Sequence, residues 1–337
     1  MIFIMEKELS KLLDFRPSIK VLDATMRDGG LVNDFFFTDD FVKKLYQTNL
    51  KAGVDYMELG YKADKELFDS SKYGKWKFCD DDEIRKVLGD TKDSPLKLAC
   101  MADVGRCNYK ENIIKKDDSP LDMIRVATYL NTMPTAVEMI EDAKNKGYEV
   151  CCNIMAVSSA QESDIKVALE LLGKSSVDVI YIVDSYGSIY PEAMARIADV
   201  YMSCAEKYGK KIGIHAHNNL QLAFANTIEC VGDGVDFLDA TYNGMGRGAG
   251  NCSMELLLGF LKNPKYKTYP VIQFIENEIN HLKNKGTIWG YDLQYMMTGQ
   301  LNQHPRSAIA FTKDGRSDYS EFYRQIVAED LYKKFIT

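Results

Sequence analysis

Eight short runs rich in β-branched residues follow one another at intervals of about 31 residues, the length of one right-handed strand-helix-strand unit. They cover residues 21–25, 54–59, 96–102, 123–128, 148–155, 177–183, 211–217 and 235–240. Between them, segments 39–51, 135–146, 162–173, 191–208 and 219–231 repeat apolar residues at three- and four-residue spacing, the period of an amphipathic helix. Thr38 and Asp39 suit a helix start, Pro191 a first helical turn, and Gly147 and Gly209 two helix ends. Alternation of this kind builds a parallel sheet, either open and doubly wound or closed into an α/β barrel, the (β/α)8 TIM barrel. The barrel is favoured by the number of runs and by the placing of Asp28, Glu58, Asp103, Asp184, His215 and Asn243 at or just beyond their C-terminal ends. Those ends converge on the face where a barrel carries its site.

The chain has 337 residues, more than eight such units need. Residues 1–261 read as the barrel and 262–337 as a mainly helical C-terminal extension, expected to pack on the barrel mouth or on a partner subunit. Within it, 262–269 is polar, 271–285 has a helical pattern, and 289–309 mixes aromatic, Met and polar residues. A homodimer is the expected assembly. Lys and Arg total 42 against 49 Asp and Glu, and the resulting charge of −7 is a poor match to nucleic acid. No apolar run approaches the roughly 18 residues of a membrane helix, and residues 1–13 hold too short an apolar stretch for a signal peptide, so a cytoplasmic address without membrane contact is expected. The eight cysteines include no CxxC pair and are expected to be reduced packing residues. The acidic run 80–83 is expected to open a helix in solvent.

Two of the four histidines, His215 and His217, stand two apart at the end of a run, and the strand period of two turns both imidazoles to one side. That spacing suits a metal, although a hydrogen-bonded core pair would share it. With Asp28 they would hold a divalent cation that keeps open positions for substrate oxygens; alone, Asp28 and Gly29 would read as a plain turn. If the cation chelates a 2-oxo acid, carbon–carbon cleavage leaves an enolate, and a fixed guanidinium such as Arg27 stabilises it. Glu58 either orients Arg27 or forms a rim salt bridge with no chemical part. The glycine-rich loop 243–251 precedes a helical pattern and could bind phosphate, yet it lacks the downstream acidic residue of a dinucleotide fingerprint. It reads instead as a mobile lid that brings Asn251 to the site. Asp103, Arg106, Asn153, Asp184, Tyr186, Arg247 and His304 are candidates for the substrate pocket.

Taken together, DATMRDG at 23–29, HAHNN at 215–219 and GMGRGAGN at 244–251 resemble the DRE-TIM metallolyase superfamily over about residues 20–260. That group holds 4-hydroxy-2-oxovalerate aldolases, 3-hydroxy-3-methylglutaryl-CoA lyases and the isopropylmalate, homocitrate and citramalate synthases. The resemblance implies that Asp28, His215 and His217 ligate Mn²⁺ or Mg²⁺, or in some members Zn²⁺, with Asn251 completing the set. It also implies that Arg27 and Glu58 are the Arg and Glu of the superfamily name. Trp289, Gly290 and Tyr291, followed by NQHPR at 302–306, look most like the aldolase branch, which makes Tyr291 a candidate proton donor. Read by itself, Tyr291 is equally a packing aromatic. The aldolases usually carry a basic histidine after Arg-Asp-Gly, where this chain has Gly30, Leu31, Val32, Asn33 and Asp34. His304, Tyr291 or a hydroxide on the metal are left as substitutes. The lyase branch carries a loop cysteine where this chain has Arg247, and Cys252 falls after Asn251.

The expected activity is that of a divalent-metal-dependent aldolase, a carbon–carbon lyase acting on a 4-hydroxy-2-oxo acid through a pyruvate-like enolate stabilised by Arg27. The alternative is an acyl-CoA-dependent Claisen synthase using a 2-oxo acid. A binding barrel without catalysis would have no need of Arg27 beside a metal site, and a Rossmann dehydrogenase would have no use for the histidine pair. The aldolase branch further implies an acylating aldehyde dehydrogenase as a candidate partner on the C-terminal segment.

Overall fold

The computed structural model describes residues 16–336, so the apolar start at 1–13 lies outside the described residues. Eight parallel strands close in chain order: β1 (Lys20–Asp23), β2 (Tyr56–Tyr61), β3 (Lys97–Asp103), β4 (Met123–Thr128), β5 (Glu149–Ile154), β6 (Val179–Asp184), β7 (Lys211–Ala216) and β8 (Phe237–Ala240). Strand β8 pairs with β1, Leu22 opposite Asp239, and completes the (β/α)8 barrel. The helices between them start and stop where local chemistry allows. Thr38 Oγ1 accepts the Phe41 N–H at 3.2 Å to open Asp39–Ala52. Gly53 ends that helix at φ 76°, a left-handed conformation that a side chain rarely adopts.

Three expectations need correction. The first strand stops at Asp23, because the Asp23 carboxylate accepts the Thr25 N–H at 2.9 Å and folds the chain into a short helix, Thr25–Gly29. The helix expected from residue 219 begins at Ala223, where Asn218 Oδ1 accepts the Ala223 N–H at 3.1 Å. The acidic run does open a helix, Asp81–Leu88, but Asp81 is tied to Lys62 Nζ at 2.5 Å and to the Ser119 hydroxyl rather than left to solvent.

Side chains alternate along each strand, and the inward set forms two storeys. The lower is an apolar plug of Leu22, Tyr56, Ala99, Met123, Cys151, Val179, Tyr181 and Phe237. Each such large apolar side chain contributes about 1.5–3 kcal/mol by leaving water. Gly213 makes room for Tyr181 to cross the barrel, since a Cβ there would lie within 2.7 Å of three ring atoms. The upper storey is charged and holds the site. All eight cysteines are free, seven of them buried. Among the described residues no helix is long and apolar enough to cross a membrane.

After the helix Met254–Leu261, the chain runs along the barrel flank as Thr268–Phe274, a wider turn at Ile275–Ile279, and Asn280–Asn284. Phe274 packs edge-on to Phe41 at 5.2 Å. The helices Leu293–Gln300, Arg306–Lys313 and Tyr319–Ile336 share a small apolar core around Phe311 and Phe322 that reaches Ala249 of the glycine-rich loop. The Trp289 indole donates to Asn243 O at 3.0 Å and the Gly290 N–H to Gly248 O at 3.0 Å, seating this segment on the mouth.

Candidate active site

The turn after β1 is built by its own sequence. Asp23 accepts from the Thr25 N–H and hydroxyl and, at 2.7 Å, from Asn49 Nδ2; the Thr25 hydroxyl in turn accepts the Tyr242 N–H at 2.9 Å. These bonds tie the turn to the loop after β8 and leave Arg27 and Asp28, two positions on, buried at the barrel top. Burial pushes the Asp23 carboxyl up to about 6, against the hydrogen bonds from Thr25 and Asn49.

Asp28, His215 and His217 converge there, with one ligand atom of each lying within 4.8 Å of the others. The two imidazoles sit 5.2 Å apart at 82°, as expected for neighbours of period two, although His217 is one residue past the end of β7 and is held by a bridge to Asn251. Burial drives His217 well below its ordinary value, so it is a neutral donor. Burial alone would raise Asp28, but His217, Arg27, His215 and Arg247 outweigh it and hold the carboxyl below the usual range. Asn251 Nδ2 donates to Asp28 Oδ2 and, at 3.2 Å, to Met245 O. That leaves Asn251 Oδ1 buried and without a hydrogen-bond partner beside the triad. Two imidazoles, a carboxylate and an unused amide oxygen fit a divalent cation. Gly246 is required by this packing, because a Cβ would come within 2.5 Å of Asp28 Oδ2. The loop expected to be a lid is thus tied down through Asn251.

A line of buried charges runs beneath. Arg27 Nε donates to Glu58 Oε2 at 2.9 Å and its Nη1 to Asp28 Oδ1 at 2.9 Å. The same Glu58 oxygen accepts from Arg125 Nη1 at 2.8 Å, and Arg125 Nη2 donates to Asp239 Oδ2 at 2.6 Å. Asp239 Oδ2 lies 3.0 Å from His215 Nδ1, which is the donor because a carboxylate can only accept, and His215 Nε2 is left with its lone pair, 3.4 Å from Arg27 Nη2. Burial disfavours the charge on Asp239, but Arg125 outweighs it and keeps the carboxyl low. Arg125 and Asp239 were not singled out in the sequence. The available signal was a full charge in the middle of runs otherwise fit for a barrel interior: Met123, Arg125 and Ala127 share one face, as do Phe237 and Asp239.

A cavity of about 70 Å³ opens above this line, walled by Arg27, Asp28, Tyr61, Asp103, Asn153, Ser185, His215, His217, Arg247 and His304 among others. Glu58 and Asn251 lie behind its wall. Tyr186 reaches it only through the His304 ring, 5.8 Å away. Asp184 is buried outside it, accepting the Ser188 N–H at 3.1 Å and the Ile189 N–H at 3.3 Å, and burial pushes its carboxyl up to about 7. It shapes the loop rather than facing the cavity. Tyr291 is 52% exposed and does not line the cavity. The phenols that do are Tyr61, which burial pushes up, and Tyr129.

A family model described as HMGL-like matches residues 123–280. The oxaloacetate decarboxylase of Mycobacterium tuberculosis is 31% identical over 246 residues, 72% of this chain and 69% of that protein. The chain belongs to the HMGL-like family. Among other HMGL-like relatives, the 4-hydroxy-2-oxovalerate aldolase of Pelotomaculum thermopropionicum is 30% identical over 252 residues, covering 74% of this chain and 72% of that one. The solved N-terminal domain of a Bacteroides vulgatus protein assigned as an aldolase superposes with a TM-score of 0.74 at 27% identity, over 87% of this chain and 96% of that one. The HMGL-like match and the aldolase and decarboxylase relatives make this chain a metal-dependent lyase with a candidate metal site at Asp28, His215 and His217.

Two further titratable groups line the cavity. Asp103 is raised by its burial, against Lys77, Arg106 and Arg27. His304 lines the cavity with Nε2 3.5 Å from Arg247 Nη1 and Nδ1 accepting the Arg306 N–H at 3.1 Å. Burial, aided by Arg247, Arg306 and Arg106, pushes this imidazole down to about 4.

Proposed function

We propose that the chain is a divalent-cation aldolase that breaks or makes the C3–C4 bond of a 4-hydroxy-2-oxo acid, with a pyruvate enolate as the shared intermediate. The observation that carries this reading is the setting of Arg27. Two carboxylates hold its guanidinium, and its Nη2 reaches to 3.4 Å from His215 Nε2, beside the point where the metal ligands converge. A cation held by Asp28, His215, His217 and Asn251 Oδ1 would chelate the 2-oxo acid and polarise its carbonyl. Two imidazoles with one carboxylate suit Mn²⁺ better than Mg²⁺, with Zn²⁺ as a third choice.

In the cleavage direction a base takes the C4 hydroxyl proton, the C3–C4 bond breaks, the aldehyde leaves, and the enolate is protonated at C3 to give pyruvate. Arg27 donates to the developing enolate oxygen from a position fixed beforehand. His304 lines the cavity and is held below its ordinary value, which supports the role of base, with Nδ1 exchanging the Arg306 N–H for the substrate hydroxyl.

Solvent-deuterium exchange at the pyruvate methyl group, followed by proton NMR, tests the reading without knowledge of the aldehyde. Exchange that requires Mn²⁺ and stops with excess chelator is the expected result. No exchange with pyruvate, but exchange at the acetyl-CoA methyl in the presence of a 2-oxo acid, would replace the aldolase by the Claisen synthase.

A further inference from the structure

Apart from the buried Arg27 and Arg125, and from Arg16, which bonds Val231 O, the arginines of this molecule differ in how they are paired. Away from the site, Arg85, Arg196, Arg316 and Arg324 each have a carboxylate oxygen within 3.2 Å. The three around the cavity mouth do not. Arg247 lines the cavity, and its Nη2 donates to Ser185 O at 2.9 Å, but among the described residues it has no ion pair, and its Nε is buried without a partner. Arg306 is exposed and meets the site only through its backbone N–H on His304; among the described residues no carboxylate pairs with it either. Arg106 comes no nearer than 4.0 Å to Asp103, a cavity-wall residue, with its side chain 57% exposed. All three act electrostatically on His304, so they share one neighbourhood.

Three guanidinium groups thus neighbour His304, with Asp103 as the carboxylate nearest Arg106, on a chain whose net charge is −7. A cleft lined by one sign of charge draws in ligands of the other, and guanidinium is the side chain best shaped to grip carboxylate or phosphate. The carboxylate of pyruvate does not account for all three, because only Arg247 lines the cavity, while Arg106 stands behind its wall residue Asp103 and Arg306 follows two residues after its wall residue His304.

We propose that the aldehyde partner carries a second anionic group, carboxylate or phosphate, which Arg247, Arg106 and Arg306 bind at the mouth while pyruvate occupies the floor. This rests on the aldolase reading and specifies its substrate. In the synthetic direction pyruvate C3 loses a proton to the base, bonds to the aldehyde carbon, and the former carbonyl oxygen takes up a proton. No oxidant or reductant enters.

The test uses the full chain loaded with Mn²⁺ and two measurements. Metal-dependent deuterium exchange into pyruvate is measured first, and its absence would be a failure of the aldolase reading itself. Aldol addition of pyruvate is then compared for propanal, succinic semialdehyde and glyceraldehyde 3-phosphate. The expected result is a higher kcat/KM for at least one anionic aldehyde than for propanal, with the preferred one distinguishing carboxylate from phosphate. Arg306→Gln and Arg106→Gln are exposed changes, and each should lower the anionic-to-neutral ratio by up to about fivefold, the worth of one rim ion pair, and less at 0.5 M salt. Exchange with pyruvate together with a preference for propanal, or a ratio that neither variant moves, would overturn the proposal and leave the aldolase reading standing.

Discussion

The buried charges under the site and the cationic mouth above it use the same side chain to opposite ends. Below, Arg27 and Arg125 are almost wholly buried, and each is held by two carboxylates at 2.6–2.9 Å. Above, Arg106, Arg247 and Arg306 have no such close partner among the described residues. A buried guanidinium that bridges two carboxylates cannot move without stranding them, so the lower line fixes where Arg27 and His215 point. An unpaired one near solvent keeps its bonding capacity for a ligand. Position is set from beneath and selection from above.

The largest test of the lower region is Arg125→Met, which strands Glu58 and Asp239 in the barrel. It should cost about 3–5 kcal/mol in urea denaturation, the range for breaking a buried ionic cluster. A loss below about 1 kcal/mol would mean that the line holds nothing up. Next in size, Arg27→Ala should retain bound metal yet slow pyruvate exchange about 10²- to 10³-fold, as for a lost oxyanion donor. An unaltered rate removes Arg27 from the chemistry.

At the boundary between the regions, His304→Gln should slow exchange at neutral pH by about 10²-fold, the low end for general base catalysis. The parent's acid limb should fall near 4, where His304 gains its proton, rather than near the free imidazole value of about 6.5. The sign for folding follows: a depressed imidazole favours the folded state above its unfolded value, and that contribution is lost as pH falls towards 4. A limb at 6.5, or one unchanged in the variant, would assign the base elsewhere.

Gly246→Ala presses on Asp28 and Asn251 without removing a ligand, and calorimetric titration with Mn²⁺ should show affinity weakened about 10- to 100-fold. The smallest effect belongs to Tyr291→Phe. An exposed phenol off the cavity should change exchange less than about twofold, within the ±0.5 kcal/mol of an ordinary surface change. A larger loss would bring the extension into the chemistry.

Much of the site was legible because strand periodicity is local. His215 and His217 had to share a side, and the ends of eight parallel strands had to converge, so the histidine pair followed from spacing, while Asp28 joined it through the company of that pair and the resemblance. Arg27 and Asp28 were legible as a motif, but not the turn that carries them, since Asp23 competes for backbone N–H groups that a strand would otherwise use. Tyr291 was read as a candidate proton donor and Tyr61 was not singled out; Tyr291 is half exposed, on a segment that Trp289 and Gly290 seat on the loop.

The repeat of eight units, the closed barrel and the residues able to hold a metal were thus determined by the chain's own order, through periods of 2 and 3.6 that need no partner. The pairing of Arg125 with Glu58 and Asp239, and the freedom of Arg247, Arg106 and Arg306, were decided by tertiary structure alone. An ion pair depends on distances between residues 67 to 114 positions apart, and burial sets whether the charge is satisfied by a neighbour or kept for a ligand.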